Sequence, residues 1–113
     1  MDFACKKIDI EEVIKCSLGV TKAELMIMKT IMKQNEEMDT QKIAQKTNLD
    51  LTTVQKAVKK LHEKGILIKD QKNLGSGGYI FLYKSNSREK IRSKIKEIVG
   101  IWFKEVEKEI EKI

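Results

Sequence analysis

Six side chains in a span of nine residues, Thr52, Thr53, Gln55, Lys56, Lys59 and Lys60, are of types that do non-covalent chemistry. Hydroxyls and an amide exchange hydrogen bonds with planar polar edges, and ammonium groups pair with anions. Their spacing makes this more than a polar run. The interleaved residues Val54, Ala57, Val58 and Leu61 recur at steps of three, one and three, the signature of one buried helix face. The six polar residues are thereby expected to share the open face. Covalent chemistry has little to work with. His62 is the only histidine, and no nucleophile motif or paired acidic motif accompanies it, so no enzyme is expected. Cys5 and Cys16 match no zinc spacing, so no metal and no other cofactor is expected. Lysines 6, 7 and 15 lie near these cysteines in sequence, so a thiol-responsive role for Cys5 or Cys16 is an alternative reading.

The helix needs elements to hold it. Asp50 stands where a cap is required, and the helix is expected over Leu51 to Lys64, with Gly65 at the position past its end where positive φ is needed. A shorter helix precedes it, with Thr40 as its expected N-cap, Ile43 and Ala44 facing inward, and Thr47-Asn48 at its end; Leu49 plugs the turn between the two. Upstream, Thr21-Lys-Ala-Glu24 is a capping box that opens a helix to about Gln34, with Leu25, Met28, Ile31 and Met32 as its core stripe. Ile8, Ile10, Val13 and Ile14 suggest a first short helix that ends near Ser17–Gly19, and Met38 suits a very short strand.

After Gly65 come two strand-like runs, Ile66-Leu67-Ile68 and Tyr79 to Tyr83, around a glycine-rich tip at 73–78. Helix, turn, helix, strand, tip, strand is the order of a winged helix-turn-helix, a mainly α (α+β) fold that sets its second helix into a DNA major groove. The last stretch opens at Asn86, with Glu89 three residues on resembling a capping box. Ile91, Ile95, Ile98, Trp102, Val106, Ile110 and Ile113 recur along it, with Val99 and Phe103 beside them. Such a helix of about 28 residues would be about 42 Å long, too long for the preceding body to cover. Its surplus apolar face is expected to meet a second copy. The expected organisation is therefore a DNA-binding domain at 1–85 and a dimerisation helix at 86–113.

Charge agrees with this division. The net charge is +6, with a balance of −1 over residues 1–38, +4 over 39–83 and +3 over 84–113. An excess placed on the helix-turn-helix and tail is the footprint of a polyanionic partner. No apolar run approaches a membrane span, and residues 1–12 carry no apolar signal core, so no membrane partner and a cytoplasmic location are expected.

The segment from Thr40 to Leu67 resembles the DNA-binding core of the MarR and TrmB families of bacterial and archaeal regulators. The resemblance rests on Thr40 with Ile43-Ala44, Leu49, Thr53-Val54, and Leu61 with Gly65-Ile66-Leu67. It implies a homodimer on a pseudo-palindromic operator, with one recognition helix in each half-site. The family wing often carries an arginine near its tip. Here the tip is Leu74-Gly-Ser-Gly-Gly78, which leaves Lys69, Lys72 and Lys84 for phosphate contact. Within the recognition helix, Gln55 is the expected adenine reader and Lys56 reaches guanine or phosphate. Thr52 and Thr53 suit phosphate or thymine-methyl contact, and Thr40 and Gln41 clamp the backbone. The alternative is a winged-helix module that docks protein in a larger complex. Neither an effector nor the operator sequence can be read from the residues.

Overall fold

The computed structural model describes residues 1–113. In chain order the elements are β1 (Asp2–Phe3), β2 (Lys6–Lys7), α1 (Ile10–Leu18), α2 (Lys22–Gln34), α3 (Thr40–Thr47), α4 (Leu51–Glu63), β3 (Leu67–Asn73), β4 (Tyr79–Ser85) and α5 (Arg88–Glu111). The chain divides into two units, Val20–Asn86 and Met1–Gly19 with Ser87–Ile113.

In Val20–Asn86 each helix starts on a side-chain oxygen, and a residue with positive φ stands at or just past its end, which helps to satisfy the backbone groups that helix ends leave open. The Thr21 hydroxyl accepts the Glu24 N–H at 3.1 Å, and the Glu24 carboxylate accepts the Thr21 N–H at 2.8 Å, closing the expected capping box. Asn35 (φ 52°) and Asn48 (φ 57°) end α2 and α3 in the left-handed region, and Gly65 (φ 76°) follows α4. Asparagine tolerates that region better than most residues, because its short amide bonds locally.

The cap of α3 differs from expectation. Asp39, not Thr40, accepts the Lys42 N–H, at 2.8 Å, and Thr40 is the first helical residue. Met38 causes the shift. It bridges to Tyr83 as an isolated antiparallel pair, which leaves its neighbour Asp39 extended and free to cap.

Ile27, Ile31, Met38, Ile43, Val54, Val58, Leu61, Ile66 and Leu67 form the fully buried centre of this unit. Burying such a side chain contributes roughly 1.5–3 kcal/mol each, so these residues supply most of the packing energy. Of the expected α2 stripe, Leu25, Met28 and Ile31 are buried and Met32 is half-buried.

β3 and β4 pair antiparallel from Leu67↔Ser85 to Asn73↔Tyr79. β3 runs well past the expected Ile68. Its residues Lys69 to Asn73 are polar and exposed, so they carry no apolar alternation. Pairing with β4, rather than burial, keeps them extended. The tip closes through Leu74 N–H to the Gly78 carbonyl at 3.0 Å and Gly77 N–H to the Leu74 carbonyl at 3.1 Å. Gly77 (φ 93°) and Gly78 (φ 78°) supply the backbone turn that this closure needs. Past β4, Asn86 does not cap α5. Its side-chain amide donates to the Gly65 carbonyl at 2.9 Å, and its N–H donates to the Ile66 carbonyl at 2.9 Å. An amide can donate where a hydroxyl cap mainly accepts, so Ser87 takes the cap and accepts the Lys90 N–H at 3.1 Å.

In the other unit, β1 and β2 form a small hairpin, with Asp2 opposite Lys7 and Phe3 opposite Lys6. Two-residue strands fall below any periodic signal, and this hairpin was not expected. Asp9 caps α1 by accepting the Glu11 N–H at 3.0 Å, so Ile8 lies just outside the helix. α1 packs on α5, which has 24 residues and is about 36 Å long.

Candidate nucleic-acid interface

α4 carries the candidate reading face. Val54, Ala57, Val58 and Leu61 are buried, whereas Thr52, Gln55, Lys56 and Lys59 are exposed and Thr53 is half-buried. The first turn is held by Asp50, whose carboxylate accepts the Thr53 N–H at 3.2 Å and also the Thr53 hydroxyl. Those bonds, the hydroxyl first, hold the Asp50 carboxyl below its usual range. The Thr53 hydroxyl hydrogen is thus engaged in the cap, and its methyl and oxygen lone pairs are what remain for a ligand.

Lys60 stands apart from its neighbours. Its Nζ lies 3.5 Å from Oε1 of Glu24, the buried acid of the α2 capping box. Its charge is shared with α2 rather than presented alone. Lys42 is similarly paired with Glu36 at 2.8 Å, and this bond holds the Glu36 carboxyl low.

A cleft of about 320 Å³ joins three elements, with Thr40 and Gln41 from the start of α3, Gln55 from α4, and Ile80, Phe81 and Tyr83 from β4. Three expected contact residues therefore come together in one place. Tyr83 is buried, and burial pushes its phenol pKa up, which keeps it neutral. The β4 residues were not singled out from sequence. Period-two alternation of Tyr79, Phe81 and Tyr83 was the available signal. Of the expected wing lysines, Lys69 sits with its Nζ 3.9 Å from the Phe81 ring centre, and Lys72 is exposed opposite Ile80.

The expected dimer stripe on α5 is covered unevenly by the rest of the chain. Ile91 is buried and Ile95, Ile98 and Val106 are half-buried, whereas Trp102 is 64% and Ile110 56% exposed. Val99, Ile101, Phe103 and Ile113 are exposed as well. Across 98–103 the sequence IVGIWF leaves α5 apolar on every side, as in helices that are enclosed by protein.

Cys5 and Cys16 are free and exposed. His62 Nδ1 lies 3.2 Å from the Leu67 carbonyl, which ties the end of α4 to β3. No group of three or more His, Cys, Asp or Glu side chains is placed to hold a metal ion. No helix is long and apolar enough to cross a membrane.

Three helices with a capped turn between the last two, followed by a β-hairpin wing, define a winged-helix protein. Residues 9–106 match the DnaD N-terminal domain family, and the chain belongs to that family. It is 31% identical over 103 residues to an uncharacterised protein of Methanocaldococcus jannaschii, covering 91% of this chain and 84% of that one. It is also similar to the solved structure of a possible transcriptional regulator from Methanosarcina mazei Go1, at 43% identity and a TM-score of 0.92, covering 99% and 94% of the two chains. A multiple antibiotic-resistance repressor (MarR) from Listeria monocytogenes shares the fold, at 17% identity and a TM-score of 0.51 over 88% of this chain and 66% of that one. The MarR and TrmB resemblance therefore holds for the winged-helix fold.

Proposed function

We propose that the protein is a sequence-specific regulator of transcription that binds double-stranded DNA as a homodimer. The observation that carries this reading is the clean division of α4, with Val54, Ala57, Val58 and Leu61 buried and Thr52, Gln55, Lys56 and Lys59 exposed. Gln55 reads a base edge bidentately, as amides do with adenine, and Lys56 contacts guanine or phosphate. Thr40 and Gln41 flank Gln55 in one cleft and position the DNA backbone. Lys59 and Lys72 add sequence-independent attraction.

Residues 86–113 pair two copies in this reading, and residues 1–85 carry the DNA-binding part. Exposed Trp102, Ile110 and their neighbours support pairing, because a contiguous apolar surface of this kind marks an interaction site. Two recognition helices related by a two-fold axis require half-sites about 34–36 Å apart on a pseudo-palindrome.

Selection of genomic fragments by the purified protein, followed by sequencing, tests the proposal. Enrichment of a pseudo-palindrome with half-sites one helical turn apart is expected. Retention of fragments without any shared motif, or of none, overturns it.

A further inference from the structure

The wing carries an aromatic surface that the duplex-reading role leaves unused. Alternation along β4 puts Tyr79, Phe81 and Tyr83 on one face of the hairpin. Directly paired residues share a face, so Asn73, Gln71 and Lys69 lie beside them, opposite Tyr79, Phe81 and Tyr83 in turn. Asp70 lies on the other face, so the hairpin itself contributes no acid to this one; Asp39, at the start of α3, is the acid that lines the adjoining cleft.

The rings are arranged, not scattered. Tyr79 and Phe81 meet edge-on, 5.2 Å between centres at 62°. Lys69 covers the Phe81 ring at 3.9 Å, an attraction between a cation and a π-face that fixes this ring from a second side. Tyr79 nevertheless remains 56% exposed. The surface is continuous with the candidate interface, because Phe81 and Tyr83 also line the cleft that holds Thr40, Gln41 and Gln55.

A paired base within a duplex shows a protein only its edges, because its faces are stacked on neighbours. An aromatic ring offers a face and finds its complement in a base whose own face is open. We propose that Tyr79, braced by Phe81, stacks on an unpaired DNA base at a duplex end, a bulge or a melted step, with Asn73 and Gln71 bonding to its edge. This site rests on the reading of α4 as a DNA-contacting helix. It adds a preference for distorted or partly opened DNA, of the sequence-tolerant kind that stacking gives.

The experiment uses the full chain and two DNAs of one sequence, a blunt duplex and the same duplex with a single bulged 2-aminopurine. Affinity is read by fluorescence anisotropy, and stacking by quenching of the base analogue. The wild type should bind the bulged DNA more tightly by roughly 5- to 150-fold and quench the analogue. Tyr79→Phe should keep both effects. Tyr79→Ala, and Tyr79→Leu as a variant that keeps apolar bulk, should bind both DNAs at the blunt-duplex affinity without quenching. Equal binding of the two DNAs by the wild type overturns the stacking site and leaves duplex recognition standing. A preference or quench that survives in both Tyr79→Ala and Tyr79→Leu overturns it as well. Tyr79-dependent binding of the bulged DNA with no duplex binding supports the stacking site and removes duplex recognition. Binding of neither DNA removes both.

Discussion

Oε1 of Glu24 accepts the Thr21 N–H at 2.8 Å and lies 3.5 Å from Lys60 Nζ. A single carboxylate oxygen thus opens α2 and holds the exposed side of α4. Its side chain is 10% exposed, whereas that of Lys60 is 45% exposed, so the pair spans the boundary between interior and solvent. Replacing Glu24 by alanine removes half of the capping box and the pair together. A loss of about 1–2 kcal/mol in urea unfolding is expected, with a smaller loss for Glu24→Gln, whose amide oxygen still accepts the N–H. Equal losses for the two variants would show that charge, rather than capping, dominates.

Gln55 and Lys56 are adjacent and both exposed, yet they are expected to fail differently. Gln55→Ala should flatten discrimination by about 1–3 kcal/mol at one base position. Lys56→Ala should weaken all duplexes alike and reduce the slope of log affinity against log salt by about one, if its contact is phosphate. Titrations over a set of single-base operator variants at several salt concentrations separate the two. An unchanged preference profile in Gln55→Ala would remove that residue from base reading.

The Asp50 cap makes an acid-labile contribution to α4. Bonds from Thr53 hold its folded pKa below the ordinary value of 3.8. A depressed folded pKa means that the unfolded chain takes up the proton first as pH falls. The stabilisation is therefore complete well above 3.8, begins to fade near it, and is gone once pH passes below the folded value. Thermal melts from pH 6 to pH 2 should show a steeper acid loss for the wild type than for Asp50→Asn. Parallel curves would mean that the cap contributes no pH dependence.

Trp102 is the only tryptophan, and it is 64% exposed in the single chain. If α5 pairs two copies, its emission should shift to shorter wavelength as protein concentration rises through the dimer constant. Trp102→Glu should yield a monomer by light scattering with unchanged helical content. Its affinity for a full palindrome should fall by roughly 100-fold or more, with half-site affinity retained. A dimer that persists in Trp102→Glu would place the pairing surface elsewhere.

The parts of this fold that were legible in the sequence are those specified locally. The capping box at Thr21-Glu24, the Asp50 cap, the buried face of α4 and Gly65 after it all follow from residue types at fixed spacing. The misplaced caps at Thr40 and Asn86 have a shared cause. Each sits beside a second residue able to cap, and contacts distant in sequence, Met38 with Tyr83 and Asn86 with Gly65, decide between them. The outer half of β3 was illegible because its side chains bury nothing. The aromatic surface of the wing was overlooked for a related reason. Tyr79 and Phe81 read as ordinary strand formers until Lys69, ten or more residues upstream, is brought over the ring by the strand pairing.

The backbone of Met38 is joined to that of Tyr83 by two hydrogen bonds, at 2.9 and 2.8 Å. Mechanically, this is a fulcrum. Strand β4, the inner strand of the wing, is pinned to the loop residue next to Asp39, the cap on which α3 begins. A load that tilts the hairpin pulls on that loop and applies torque to the first turn of α3, where Thr40 and Gln41 sit. The wing is thus a lever arm with its short end at the start of the helix-turn-helix, and the amide hydrogens of Met38 and Tyr83 should exchange together when that pivot opens.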